Sequence, residues 1–255
     1  MRAPPGLIVA APRSGSGKTV ITIGLLRHLT RSGVAVAPFK TGPDYIDAAY
    51  HAAAAGRACV NLDTWAMRGE SLDATAAALA REAEFILGEG VMGLFDGAAG
   101  GGGSTADLAA WLGIPVLLVI DARGQGASVA ALAEGFSNHR TDVPVAAVVF
   151  NYVASVHHEE ILRRAMAPTG IPVLGALPRN QSLALPERHL GLVQAGEEKN
   201  LVHFLDAAAN VTADHIDEVM LCALGKPLQA LSEAPATYPL EPLGNHIAVA
   251  RDKAF

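Results

Sequence analysis

The sequence predicts an α/β protein, a mostly parallel sheet with helices on both faces. Three observations carry this. Short apolar runs alternate with helix-length segments along most of the chain. The runs are continuously apolar, as strands covered on both faces must be. The first run, Leu7 to Ala10, leads through a small-residue loop into an apolar helix, the repeating unit of such sheets.

That first unit carries the chemistry. After the strand come Ala11-Pro-Arg-Ser-Gly-Ser-Gly-Lys-Thr19, and then a helix over Val20 to Leu29. Strand, glycine loop, Gly-Lys-Thr and helix make a phosphate-binding loop, so the fold expected is P-loop NTPase-like. Gly15 and Gly17 let backbone N–H groups curl round an anion, and the helix N-terminus adds partial positive charge. Lys18, expected on an exposed loop, reaches the phosphates, and the Thr19 hydroxyl reaches Mg²⁺. Arg13, Ser14, Gly15, Ser16, Gly17, Lys18 and Thr19 are the nucleotide-binding candidates. Pro12 stands where the usual pattern has a first glycine, and Arg13 where one branch of these NTPases has a second lysine.

The later elements follow in order. Val34 to Phe39 read as the second strand, delivering a polar loop, Lys40-Thr-Gly-Pro-Asp-Tyr-Ile-Asp47. Ser71 to Ala83 read as helix. Phe85 to Leu87 are a short strand ending at Glu89-Gly-Val-Met-Gly-Leu-Phe-Asp-Gly97. Gly100 to Gly103 suggest a mobile loop, and Ser104 or Thr105 caps a helix to about Leu112. Pro115 to Ile120 form a strand ending at Asp121, Gln125 to Asn138 a helix, and Val143 to Phe150 a strand ending at Asn151. His157 to Met166 are helical, Ile171 to Leu177 a strand, and Leu201 to Ala208 and Ala213 to Leu224 helices, the last capped by Thr212. Lys40, Glu89, Asp121 and Asn151 each follow a strand end, so they should share one rim with the phosphate loop.

The chain has 255 residues, 51% hydrophobic and 17% charged, enough for a large core. A net charge of −6 argues against general nucleic-acid binding. No apolar run is long enough to cross a bilayer, and a cytoplasmic enzyme is expected. Cys59 and Cys222 are read as buried small hydrophobes rather than a disulfide or metal pair. The histidines, His51 among them, show no paired metal spacing and are read as surface or helix residues. Only Lys18 and Lys40 occur before Lys199, and each sits in a glycine-containing motif.

Asp44, Asp47, Glu89 and Asp96 lie in turn-rich segments beside the phosphate site. Mg²⁺ takes a few carboxylates with phosphate oxygens and water. Glu89 is the first candidate ligand and Asp44 or Asp47 the next. Asp44 and Asp47 can equally be turn caps, and Asp121 a strand-end cap.

Together these motifs, with Ser104-Thr-Ala-Asp107 and Leu185-Pro-Glu-Arg-His-Leu-Gly-Leu192, resemble the cobyrinate a,c-diamide synthase family, including its hydrogenobyrinate-using members. The resemblance runs from the start to about residue 192. It implies a dethiobiotin-synthetase-like ATP domain that amidates the a and c acetates of a corrin polycarboxylate through acyl phosphates. ATP and Mg²⁺ are then the cofactors, and ammonia comes from a class I glutaminase domain. By the resemblance, Lys18, Lys40, Asp44, Asp47, Glu89 and Asp96 carry catalysis. Thr19, Asp44, Asp47 and Glu89 meet the metal, Tyr45, Ile46 and Ser104 the substrate, and Asn151 adenine. From the residues, the Gly100 to Gly103 run could serve as part of a lid that excludes water; a homodimer is open, and the sequence is silent on oligomeric state.

Residues 1–226 are expected to form the synthetase domain and 227–245, with several prolines, a linker. His246 to Ala250 read as the first strand of a further domain; the resemblance makes it the glutaminase domain, expected to be cut off here or to lie on further sequence. Two alternatives stay open. A P-loop ATPase switch of the partition type explains residues 7 to 29 but not the Lys40 and Glu89 segments. A dethiobiotin synthetase does not explain the linker.

Overall fold

The computed structural model describes residues 3–81, 83–180, 183, 187–188, 191–192, 194–198, 200–229 and 244–250. Strands β1 (Pro5–Ala10), β2 (Val36–Thr41), β3 (Val60–Leu62), β4 (Phe85–Glu89), β5 (Val116–Asp121), β6 (Val145–Val153) and β7 (Val173–Pro178) build the sheet. They pair in the order β3-β2-β4-β1-β5-β6-β7, every pair parallel. After β4 the chain crosses to the far side of β1, which places the ligand crevice at the carboxyl ends of β4, β1 and β5. The expected doubly covered parallel sheet is what forms. A two-residue antiparallel pair, β8 (Glu187–Arg188) with β9 (Gly191–Leu192), lies apart from it.

The helices are α1 (Lys18–Arg31), α2 (Tyr45–Ala55), α3 (Gly69–Ala80), α4 (Thr105–Leu112), α5 (Val129–Asn138), α6 (Val156–Met166), α7 (Leu201–His215) and α8 (Glu218–Leu224). They divide into two layers. In β1, Leu7 and Val9 join a core with α1, α2, α7 and α8, while Ile8 and Ala10 join the opposite core with α3 to α6. Side chains alternate faces along a strand, so a run apolar at every position feeds both layers. Among the described residues no helix is long and apolar enough to cross a membrane.

Several expectations need correction. Lys40 is in β2 rather than a loop. Helix α2 and strand β3 were not expected. Strand β3 has only three residues, too few for a clear apolar signature. The start of α2 is polar because Asp44 caps it and Asp47 lies in its first turn. Thr212 caps nothing. It lies inside α7 and is 1% exposed, because α1 and α7 cross closely there. A Cβ on Gly24 would run into Thr212 Oγ1 and the Ala208 carbonyl. The cap of α8 is Asp217, which accepts the Met220 N–H at 2.9 Å.

Residues 227–229, expected in a linker, pack against the sheet domain. Pro227 pairs with Pro5 in the antiparallel strand β10 (Lys226–Pro227), Leu228 is 4% exposed, and Gln229 N donates to Leu112 O at 2.9 Å. Residues 246–250 form no strand; Ile247 and Val249 are 61% and 79% exposed. Strand geometry needs a neighbour to take its N–H and C=O groups, and among the described residues none is there. Residues 230–243 and 251–255, and most of the 185–192 motif, lie outside the described residues.

Candidate active site

The loop between β1 and α1 has the geometry its residue types require. Gly15 and Gly17 hold positive φ, 75° and 88°, which an L side chain resists. Gly17 also faces Asn151, whose Nδ2 occupies the space a Cβ would fill. The Asn151 amide donates to Ser16 O at 3.0 Å, tying the loop to the end of β6. Ser16 Oγ donates to Arg13 O at 3.0 Å across the turn.

Lys18 is not exposed, contrary to expectation. It opens α1 at 8% exposure, and its Nζ donates to Met92 O at 2.7 Å. Burial lowers its pKa, with Glu89 opposing. Met92 adopts φ 49°, a strained conformation of the kind that gathers at functional sites.

Behind the loop lies a buried ionic cluster. Lys40 and Glu89 face each other in register on β2 and β4, so both side chains leave the same face of the sheet. Lys40 Nζ stands 3.1 Å from Glu89 Oε1, 2.7 Å from Asp47 Oδ2 and 3.8 Å from Asp44 Oδ2. Thr19 Oγ1 donates to Glu89 Oε1 at 2.7 Å and lies 3.3 Å from Asp47 Oδ2. Lys40 is 2% and Glu89 1% exposed; charges so buried persist only when paired.

The cluster sets its own protonation. Burial alone would lower the Lys40 pKa, but Glu89 and Asp47 hold it above its ordinary value. Burial alone would raise Glu89, yet Lys40, His51 and Thr19 hold it to about 2. Asp47 is pushed up to about 6, first by burial and then by Glu89. At neutral pH the site holds compensated carboxylates converging on the Thr19 hydroxyl.

The other expected residues fall around this centre. Asp44 is a cap after all: its Oδ1 accepts the Ile46 and Asp47 N–H groups, both at 3.1 Å. Asp96 is exposed and outside the cluster, accepting Gly93 N at 2.9 Å, although its charge still acts on Lys18. Tyr45 is 56% exposed at the start of α2, whereas Ile46 packs against the α1–α2 core. Ser104 is buried and its hydroxyl is used in a capping box with Asp107. The Gly100 to Gly103 run closes a turn through Ala98 N–H to Gly102 O at 2.9 Å.

Sequence reading placed Asp121 on this rim but gave no role there to Arg123 or His51. Asp121 is more than a cap: it ion-pairs Arg13 at 2.7 Å and Arg123 at 2.6 Å. Arg123 lies over the Tyr152 ring at 4.4 Å. His51, taken for a surface or helix histidine, is 0% exposed and touches Glu89 at 2.7 Å. The available signal was its spacing: Asp44, Asp47 and His51 stand at helical intervals on one face of α2. Both cysteines are half-buried rather than core residues.

Three oxygen-bearing side chains, Thr19, Asp47 and Glu89, suit Mg²⁺ beside a phosphate loop. Among the described residues no three acids, histidines or cysteines form an all-protein cage. Mg²⁺ needs none, because it keeps waters and takes substrate phosphates.

Comparison with known proteins gives the family of the chain. The hydrogenobyrinate a,c-diamide synthase of Brucella anthropi is 54% identical over 254 residues, covering 98% of this chain and 58% of that protein. The proteins of that name from Rhizobium meliloti and Rhodobacter capsulatus are 52% and 51% identical, covering 98% and 99% of this chain. The chain spans 58% of the length of each of these relatives. The family described as CobQ/CobB/MinD/ParA nucleotide binding domain matches residues 7–193, from the first strand through the phosphate loop and the acidic cluster. The chain belongs to that nucleotide-binding family.

Proposed function

We propose that this chain is the ATP-dependent synthetase portion of a hydrogenobyrinate a,c-diamide synthase. The observation that carries the reading is the buried Lys40–Glu89–Asp47 cluster on the Thr19 hydroxyl. It supplies carboxylates for a metal and a fixed cation beside a phosphate loop, which a carboxylate-activating enzyme needs. The names of the relatives supply the substrate, hydrogenobyrinate, and its a,c-diamide product; by the family resemblance the groups amidated are the a and c acetate carboxylates of the corrin. A glutaminase domain supplies the ammonia, and the cytoplasm is the fitting location.

The chemistry follows from the residues. A substrate carboxylate oxygen attacks the γ-phosphorus of ATP, the bond to the β-phosphate oxygen breaks, and an acyl phosphate and ADP result. Ammonia then attacks the acyl carbon, and phosphate leaves as the amide forms. Lys18 exchanges the Met92 carbonyl for a phosphate oxygen and balances its charge. Asp47, Glu89 and Thr19 would hold Mg²⁺, with Asp44 at the margin, and the ion would neutralise phosphate charge. Lys40 keeps the carboxylates compatible with burial. Tyr45 is offered to the corrin from the rim, and Asp96 contributes through its charge on Lys18. Positioning and charge stabilisation are what phosphoryl transfer asks of a protein.

The test is mass spectrometry of products from ATP, Mg²⁺, ammonium and hydrogenobyrinic or cobyrinic acid. Amide products with ADP and phosphate are expected. ATP turnover that needs neither corrin nor ammonia refutes the reading. Glutamine should not replace ammonium for the polypeptide of residues 1–255. Burial, with Glu89 nearby, pushes the Cys59 thiol up to about 12, and burial raises Cys222 as well. Neither is an available thiolate.

A further inference from the structure

Helix α2 brings a buried polar residue under the site, where it meets the cluster at Glu89. His51 is 0% exposed and lies one turn beyond Asp47. Its Nε2 stands 2.7 Å from Glu89 Oε2. Thr19 and Lys40 engage the other oxygen, Oε1, at 2.7 and 3.1 Å. The His51 contact is oblique. Neither of its ring nitrogens nor Glu89 Oε2 has an aligned hydrogen-bond partner among the described residues. A buried imidazole without good partners costs free energy, and a leucine would fill the space without that cost.

We infer that His51 is a positioning residue for Glu89. It holds Oε2 and so fixes the rotation of the carboxylate, which leaves Oε1 turned toward Thr19 and the phosphate side. The same helix carries Asp47, so one rigid element sets both carboxylates: Asp47 directly and Glu89 through His51. Groups that orient a ligand from behind in this way typically change metal affinity about 10–100-fold when lost. The inference rests on the nucleotide and Mg²⁺ reading of the site and is independent of the corrin.

The experiment is calorimetric binding of a non-hydrolysable ATP analogue at a series of Mg²⁺ concentrations. It compares wild type, His51→Leu and His51→Gln, each checked for folding by circular dichroism. His51→Leu should need about tenfold more Mg²⁺ or beyond while its metal-free nucleotide affinity is unchanged. His51→Gln, whose amide nitrogen falls near the Nε2 position, should recover most of the Mg²⁺ response. Should His51→Leu not fold, His51→Asn takes its place, since its shorter amide falls short of Oε2. An unchanged Mg²⁺ requirement in every variant, or equal losses in His51→Leu and His51→Gln, overturns the positioning role. A wild type whose nucleotide binding ignores Mg²⁺ overturns the metal reading of Glu89 and, with it, this inference.

Discussion

Replacing Lys40 with methionine keeps the length of the side chain and removes the cation from the cluster. Lys40 is 2% exposed and lies within 3.1 Å of Glu89 and 2.7 Å of Asp47. Its loss leaves two carboxylates buried together on the Thr19 hydroxyl. Breaking one side of a buried pair costs about 3–5 kcal/mol. At roughly 2–4 °C per kcal/mol for a chain of this size, the melting temperature should fall by about 6–20 °C at pH 8. The loss should depend on pH. Without Lys40, the folded pKa of Asp47, already about 6, rises further above its unfolded value. Protonation then relieves the repulsion, so the gap from wild type narrows as pH drops toward 5. The assay is thermal or urea unfolding of both proteins across that range. A Lys40→Met loss below about 1 kcal/mol at pH 8, the size of a surface pair, or a loss equal at pH 8 and pH 5, refutes the reasoning.

Three further outcomes are expected. Lys18→Met should fold normally, since the hydrogen bond it gives up is to the Met92 carbonyl, yet lose about 10²-fold or more in ATP turnover; near-normal turnover in a folded variant rules out Lys18 as the phosphate lysine. Mg²⁺ affinity, measured by calorimetry, should weaken as pH falls below about 6, where Asp47 takes up a proton, because metal and proton compete for the carboxylate; a flat profile between pH 7 and 5 excludes Asp47 as a ligand. The same raised pKa means that Asp47 contributes less to stability as pH climbs from its unfolded value toward 6. Gly24→Val should cost about 1–3 kcal/mol in urea unfolding, because the added atoms meet Thr212 and the Ala208 carbonyl; unchanged stability means that α1 and α7 are not in close contact.

The sequence by itself determined the parts that depend on neighbours along the chain. Continuous apolar runs fixed a parallel, doubly covered sheet, because each strand must feed two helical layers. Gly15, Gly17, Lys18 and Thr19 fixed the phosphate loop, because its mechanism is carried by local backbone conformation and one helix start. A helix cap at Ser104 or Thr105 was readable for the same reason, and Ser104 is the one that caps. Tertiary structure alone decided which charges meet. Lys40 is apposed to Glu89 by the register of β2 against β4, and nothing within either segment announces that pairing. His51 reaches Glu89 only because α2 folds back over those strands. Arg13 finds Asp121 across 108 residues. Thr212 packs against Gly24 because two helices distant in sequence cross there. Hydrophobic pattern dictates which face of an element is buried, but not which element covers it. The electrostatics of this site therefore belong to the packed molecule rather than to any segment of it.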